Sequence, residues 1–216
     1  MIHLQKFTFN PFQENTFIVH NSTLDAIIID PGNSSPAENN ILMEFINSKK
    51  LKIKEVWLTH AHIDHILGLS YCLDTFNIGF AMHSLELENL NMTPKVAKNY
   101  GLQYLENKKT LTPNLLDSKT ELMLGNEKVK IINTPGHSPG SVCFYFSDYN
   151  KIISGDVLFL QSIGRTDLPG GNYDNLEKSI REKLYVLPDQ TIIYNGHGAE
   201  TSIGYEKKYN QFIRNT

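Results

Sequence analysis

Cysteine is nearly absent from this chain. Cys72 and Cys143 are the two present in 216 residues, far apart and in no CxxC pair. That scarcity excludes a disulfide framework and a thiolate-rich structural metal site, and it fits a reduced compartment with free thiols. No apolar run approaches the length needed to cross a bilayer. The opening stretch MIHLQKFTFNPFQ lacks the basic start and apolar core of a signal peptide. An excess of one charge is lacking too: the formal net charge of -3 makes no electrostatic case for nucleic acid or an anionic membrane surface. Tandem repeats and low-complexity linkers are missing. The expectation is a cytoplasmic protein in which residues 1–216 form a single domain large enough to bury a core without covalent staples.

What is present alternates between strand and helix signals. IHLQKFTF, NTFIVH and LDAIIID read as strands separated by the turns NPFQE and NST. Ser35-Pro36-Ala37-Glu38 supplies a capping serine, a proline at the first helical position and a glutamate at the third, and Ile41, Leu42, Phe45 and Ile46 follow as one apolar stripe. IKEVWLT returns to strand, and IDHILGLSYCLDTF reads as a helix. Ser84 to Lys119 is polar and irregular, with helical pieces near Leu85–Leu90 and Pro94–Tyr100. ELMLG, KVKIINT, SVCFYFS and KIISGD resume the strands, with Cys143 as a small residue of a buried one. A helix over Tyr173–Tyr185, the strand TIIYNG and the helix SIGYEKKYNQFI complete the chain. Interleaving to the end predicts an α/β domain. Two runs of strands suggest two packed sheets with helices outside, although periodicity alone does not separate that from a doubly wound single sheet.

Four polar clusters each follow an expected strand: Thr59–His65, Thr134–Ser141 (TPGHSPGS), Ser154–Asp156 (SGD) and Asn195–Gly198 (NGHG). Side chains presented from strand ends converge on one edge of a sheet, where α/β proteins commonly build sites. The first cluster holds His60, His62, Asp64 and His65, while His137, Asp156 and His197 add one donor each. Imidazole with carboxylate and no thiolate suits zinc, iron or manganese. A catalytic ion needs three protein ligands, so seven donors are too many for one ion and suit two, with one carboxylate shared. His60 and His62, two residues apart, can face the same side. Glycines beside His137, Asp156 and His197 let backbone approach closely. His3, His20 and His83 have no such pattern and read as surface or structural residues.

HAHIDH, with His137, Asp156 and His197 following in order, resembles the HxHxDH signature of the metallo-β-lactamase superfamily, and the resemblance covers nearly the whole chain. It implies an αββα four-layer sandwich of two mixed β-sheets flanked by helices, with the site at one edge between the sheets. Carried over, it implies that His60, His62 and His137 hold one divalent ion, that Asp64, His65 and His197 hold a second, and that Asp156 bridges them. Zinc is the first expectation, iron or manganese the alternatives. Asp30 in IIIDPG matches an early aspartate that supports the site from behind; a turn-forming role before Pro-Gly is the other reading.

Within that superfamily the chain is similar to short bacterial glyoxalase II-like (hydroxyacylglutathione hydrolase-like) enzymes through NPFQENTFIV, GRTDLPGG and GHGAET. The implied activity is hydrolysis of a hydroxyacyl thioester, of lactoylglutathione type, by a metal-bound hydroxide, with Asp64 and Asp156 in catalytic positions and a small-molecule thioester as the partner. The longer glyoxalase II enzymes carry a helical glutathione-binding domain after the last histidine. Here only residues 198–216 follow, so those anchors are expected to be missing or replaced. Arg165 stands where the family places a basic substrate contact; a surface ion pair is the other reading. The Ser84–Lys119 segment and the Arg165–Tyr173 loop are expected to frame the pocket, with Tyr100, Tyr104 and Tyr173 either lining it or packing. GRTD also occurs in mononuclear iron persulfide dioxygenases of the same fold, which is the rival reading.

Overall fold

In the second strand, Phe17 and Val19 point into one apolar cluster and Ile18 into another. That alternation runs through the whole chain, because successive strand residues face opposite sides. A computed structural model describes residues 1–102, 112–117 and 119–214. Its first sheet joins, in order, β1 (Ile2–Phe9), β2 (Glu14–Asn21), β3 (Asp25–Ile29), β4 (Lys52–Trp57), β5 (Gly79–His83) and β6 (Asn114–Leu116). β1 to β3 pair antiparallel, and β3 to β6 run parallel. The second sheet contains β7 (Leu122–Leu124), β8 (Glu127–Asn133), β9 (Val142–Phe146), β10 (Lys151–Gly155), β13 (Ile192–Asn195) and β14 (Thr201–Ser202). Its spatial order is β14-β13-β10-β9-β8-β7, with β10 and β13 the parallel pair. A small hairpin, β11 (Leu158–Phe159) and β12 (Ser162–Ile163), stands apart.

The inner faces meet through Phe17, Ile27, Ile29 and Trp57 on one side and Leu124, Val129, Phe144 and Ile153 on the other. The rings of Trp57 and Phe144 lie 5.4 Å apart. The outer face of the first sheet buries Ile28, Val56 and Phe80 against Leu42 and Ile46 of α1 (Pro36–Lys49) and Leu69, Cys72 and Leu73 of α3 (Leu69–Phe76). The outer face of the second buries Cys143, Tyr145 and Ile193 against α5 (Tyr173–Ser179), the wide turn Ile180–Leu184 and α6 (Ile203–Tyr209). Four layers follow, helix, sheet, sheet, helix, as the resemblance implied; the doubly wound single sheet is excluded. Cys143 is a core residue, its thiol pushed up to about 12 by burial.

Several elements differ from the sequence reading. The helix expected over 63–76 is two, α2 (Ile63–Ile66) and α3, broken at Leu67–Gly68. Gly68 donates its N–H to the Pro31 carbonyl at 2.8 Å, and a Cβ there would lie 2.1 Å from Asn33 Oδ1. The two helical pieces expected near 85–90 and 94–100 run together as α4 (Leu87–Asn99), with Pro94 inside. β5, β6, β14 and the β11–β12 hairpin had no expectation; all but β5 are three residues or shorter. Ser35 caps α1 as expected, accepting from Glu38 N–H at 3.2 Å. Glu38 reaches past the cap residue to the N–H groups of Ser34 and Asn10.

Because the inter-sheet layer holds the halves together, Phe144→Ala is expected to cost about 3–5 kcal/mol, as full truncation of a buried aromatic does. Met123→Ala, at an exposed position on β7, is expected to stay within about 0.5 kcal/mol. Urea midpoints of the two variants check this.

Candidate metal centre

The loop after β4, the β8–β9 connection, the end of β10 and the end of β13 deliver all seven expected donors to one place. His62 Nδ1 and His60 Nε2 lie 2.8 and 3.2 Å from His137 Nε2. On the other side His197 Nε2 is 3.2 Å from Asp64 Oδ2, and His65 Nε2 is 3.6 Å from the same oxygen. Asp156 stands between, with Oδ1 3.4 Å from His65 Nε2 and Oδ2 3.4 Å from His197 Nε2 and 3.6 Å from His137 Nε2. Donors bound about 2.0–2.1 Å from a tetrahedral ion sit about 3.3 Å from one another. The observed separations have that scale. His60, His62 and His137 form one convergent set and Asp64, His65 and His197 a second.

The ring orientations follow from what lies outside the cluster. The Arg165 carbonyl is 2.8 Å from His137 Nδ1, so that nitrogen carries the proton and Nε2 offers its lone pair inward. Asp30 Oδ2 lies 3.0 Å from His65 Nδ1 and does the same for His65. Thr59 Oγ1 donates to Asp30 Oδ2 at 2.5 Å, which leaves its oxygen free to accept from His60 Nδ1 at 3.0 Å. Asp30 Oδ1 accepts from Thr59 N–H at 2.7 Å. Asp30, His60 and His65 also converge geometrically, but the Asp30 oxygens are already occupied by Thr59 and His65. Asp30 thus bonds His65 directly and His60 through Thr59, and outer partners of this kind fix the tautomer and raise the basicity of a metal-bound imidazole.

Two buried atoms, His65 Nε2 and Asp156 Oδ1, have no hydrogen-bond partner. Buried polar atoms are rarely left so, and an ion between them removes the deficit. The residues present therefore fit a pair of divalent cations. Burial, with the neighbouring imidazoles, holds His60 well below the ordinary histidine range, and burial and His137 push His62 down to about 4. Both rings are neutral near pH 7, the form a cation requires. Against the burial that opposes it, hydrogen bonds donated by His197 to Asp156 and Asp64 lift it to about 10, and the Asp156 and Asp64 carboxylates raise His65 well above its usual value. Burial works against ionisation of Asp156, yet His65 and His197 hold it well below the carboxylate range.

Close backbone approach completes the cluster. A Cβ at position 196 would lie 2.1 Å from Asp156 Oδ1 and 2.7 Å from His65 Cε1, so only glycine fits. Gly155, at φ +50°, would press a Cβ onto Thr59 Oγ1 at 2.3 Å. The glycine reading of the sequence holds at both positions. Thr59 and Asn15 stand inside motifs of the sequence, but their roles are not legible from it. Asn15 N–H donates to the Gly196 carbonyl at 2.7 Å, and its side-chain amide bonds the Asn195 and Gly198 carbonyls at 3.0 Å each. The sole sequence signal for this clamp was the NPFQEN turn itself.

Five of the donors, His62, Asp64, His137, Asp156 and His197, floor a cavity of about 590 Å³ whose walls include Phe12, Leu85, Met92, Val96, Phe159 and Leu168. Of the two readings left open for the tyrosines, Tyr100 meets both, lining the cavity and packing edge-on against Phe12; Tyr173 is exposed at the start of α5 and does not line it, and Tyr104 lies outside the described residues. Arg165 makes the surface ion pair of its second reading, a two-pronged contact with Asp167 at 2.7 and 2.8 Å, and it also borders the cavity. His3 and His20 stack on each other across β1 and β2, and His83 Nδ1 accepts from Leu85 N–H, all apart from the centre.

Residues 9–197 match the family model of the Metallo-beta-lactamase superfamily. The probable metallo-hydrolase YqgX of Bacillus subtilis is 36% identical over 94% of this chain and 93% of its own. Hydroxyacylglutathione hydrolase GloC of Haemophilus influenzae is 33% identical, with the same shares covered. Among solved structures, the B3 metallo-β-lactamase BLEG-1 superposes with a TM-score of 0.87 at 35% identity, covering 98% of this chain and 99% of that one. TTHA1623, in a di-iron-bound form, superposes with a TM-score of 0.86 at 31% identity, covering 97% and 100%.

The contrast between the two donor sets has a measurable consequence. His65 and His197 carry protons in the metal-free centre, so loading that half must expel them, and its affinity falls by about tenfold per pH unit per proton as pH drops. His60 and His62, on the other side, are neutral near pH 7 and have no such proton to expel there. Dialysis of the loaded protein from pH 8 towards pH 5 is expected to empty the Asp64–His65–His197 half first, read as ions per chain by elemental analysis. Simultaneous loss of both ions would contradict the assignment.

Proposed function

The chain belongs to the metallo-β-lactamase superfamily and is a metal-dependent hydrolase, and from that premise we propose that it hydrolyses hydroxyacyl thioesters of lactoylglutathione type in the cytoplasm. The observation that carries this reading is the pair of donor sets sharing Asp156 on the floor of an apolar-walled cavity. His60, His62 and His137 would hold one ion, and Asp64, His65 and His197 the other; zinc is our assignment, with iron supported by the di-iron relative. Divalent cations in this place supply positive charge that polarises a carbonyl oxygen and lowers the pKa of water.

The chain's own residues supply the rest. Asp156 and Asp64, both ionised, present acceptor oxygens beside the cavity and orient a water molecule. The thioester carbonyl carbon gains the water oxygen and loses sulfur, giving a hydroxy acid and a thiol. A thiolate leaves readily, so no dedicated proton donor is needed, and none is found among the cavity-lining residues outside the donor sets apart from exposed groups. Apolar walls on α4 and at Leu168 would exclude water around the bound thioester, and Arg165 at the border would meet a carboxylate or carbonyl of the substrate. The likeness to GloC supports the thioester; the structure of ETHE1 from Myxococcus xanthus, at 21% identity, shares the fold alone. The complete Asp64–His65–His197 set argues against the mononuclear dioxygenase. No helix among the described residues is long and apolar enough to cross a membrane, and the free thiols support the cytoplasmic assignment.

Protein purified without added metal is expected to carry about two divalent ions and to cleave lactoylglutathione faster than a chromogenic cephalosporin. One iron per chain with oxygen uptake on a persulfide would replace this reading with the dioxygenase, and preference for the cephalosporin would align the chain with BLEG-1. His62→Ala is expected to abolish turnover and lower bound metal while the far-UV spectrum stays unchanged; full activity would remove His62 from the site. Arg165→Ala is expected to raise KM several-fold with kcat retained, since it removes binding shared by ground and transition states.

A further inference from the structure

Glu86 closes the short turn Ser84–Glu86 that precedes α4 and is completely buried, yet it belongs to neither donor set. Oε2 accepts from Ala61 N–H at 2.9 Å and from Asn89 Nδ2 at 2.9 Å. Oε1 accepts from Ser138 Oγ and from Gly140 N–H at 2.7 Å. Ala61 lies between His60 and His62, and Ser138 follows His137. One carboxylate therefore bonds both of the loops that build the three-histidine set. Asn89 Nδ2 also reaches Ser138 Oγ at 3.0 Å, which ties α4, a wall of the cavity, into the same knot.

The chemistry of the knot calls for a carboxylate. It accepts at every lone pair and takes four donors at once, two of them fixed backbone N–H groups. A glutamine would turn an NH2 group toward donors and leave one of them unpaired in the interior, at the cost of its desolvation. Room for the approach is built in: a Cβ at position 140 would come within 2.9 Å of Glu86 Cγ and 3.0 Å of Oε1.

We propose that Glu86 is a positioning residue of the metal centre: by bonding Ala61, Ser138 and Gly140 it sets the separation of His60 and His62 from His137, and holds the α4 wall in register with them. This rests on the two-ion reading above. The test is a Co2+ titration of the metal-free full chain, followed by visible absorption, with far-UV spectra and melting temperatures measured alongside. The parent should bind in two phases, and His62→Ala identifies the three-histidine phase by deleting it. Glu86→Gln should weaken that phase by about 10–100-fold, the range for loss of an outer partner of a ligand, and leave the other phase unchanged. Ser138→Ala, which removes one of the four bonds, should shift the same phase in the same direction by less. Should Glu86→Gln fail to fold, Ser138→Ala decides alone. Parent affinity in both phases for the folded variants, with or without a lowered melting temperature, overturns the proposal and leaves Glu86 a stability residue. A parent that takes up no Co2+ overturns the two-ion reading itself.

Discussion

The Asp30 carboxylate is the interaction on which the rest of the centre depends. It sits one residue beyond β3, with φ at +51°, a left-handed conformation that aspartate tolerates better than most residues. Its own N–H donates to the Trp57 carbonyl at 3.1 Å, which fastens the end of β3 to the end of β4. Its oxygens then orient His65 directly and His60 through Thr59. One side chain thus converts the pairing of two parallel strands into the orientation of one ligand in each donor set. Fully buried, it is stabilised only while those donors are present; loss of any one leaves a charge poorly compensated in the interior.

The second constraint is that the centre is shared between the sheets. His60, His62, Asp64 and His65 follow β4 of the first sheet, while His137, Asp156 and His197 follow β8, β10 and β13 of the second. The register of one sheet on the other is set by the apolar layer that contains Trp57 and Phe144. The Asn15 clamp then joins β2 to the His197 loop directly. His60 Nε2 and His137 Nε2, whose lone pairs both face inward, lie 3.2 Å apart, and Asp156 Oδ1 is buried with no hydrogen-bond partner, an arrangement that stays unfavourable without a cation. The inter-sheet core holds that unfavourable arrangement in place, and cation binding returns the energy as added stability.

Much of this was legible in the sequence because it is carried by local pattern. The seven donors stand in four short motifs after strand-like runs, and strand alternation assigns Phe17 and Ile18 to opposite faces without further information. The four-layer sandwich itself came from family likeness, since alternation alone fits a single sheet as well. The parts that escaped are those whose meaning lies in distant partners. Glu86 and Glu88 stand two apart in SLELEN and look alike as a sequence, yet one is completely buried under two loops and the other is exposed. The backbone N–H groups of Ala61 and Gly140 that distinguish them have no residue signature. β6, β11, β12 and β14 are too short to show periodicity, and β5 offers only GFAMH. Gly68 was visible, but its role required Pro31 and Asn33 to be placed beside it.

The Arg165 loop joins the border of the cavity to one of the histidines of the centre. Its carbonyl fixes the tautomer of His137, while its side chain borders the cavity and is held by Asp167. Three residues further along, Leu168 and Pro169 supply cavity wall beside Pro139, which belongs to the His137 connection. On the proposed function, a substrate that drew the guanidinium away from Asp167 would act on the same backbone that aims the imidazole. The β11–β12 hairpin delivers this loop, and Gly164 packs so closely that a Cβ would lie 1.9 Å from the Asp156 carbonyl and 3.2 Å from His137 Cβ. The loop therefore has little freedom to move without moving two donors. On the proposed function, a substrate held at the border would bear on the centre through covalent backbone and van der Waals contact, with no conformational switch required.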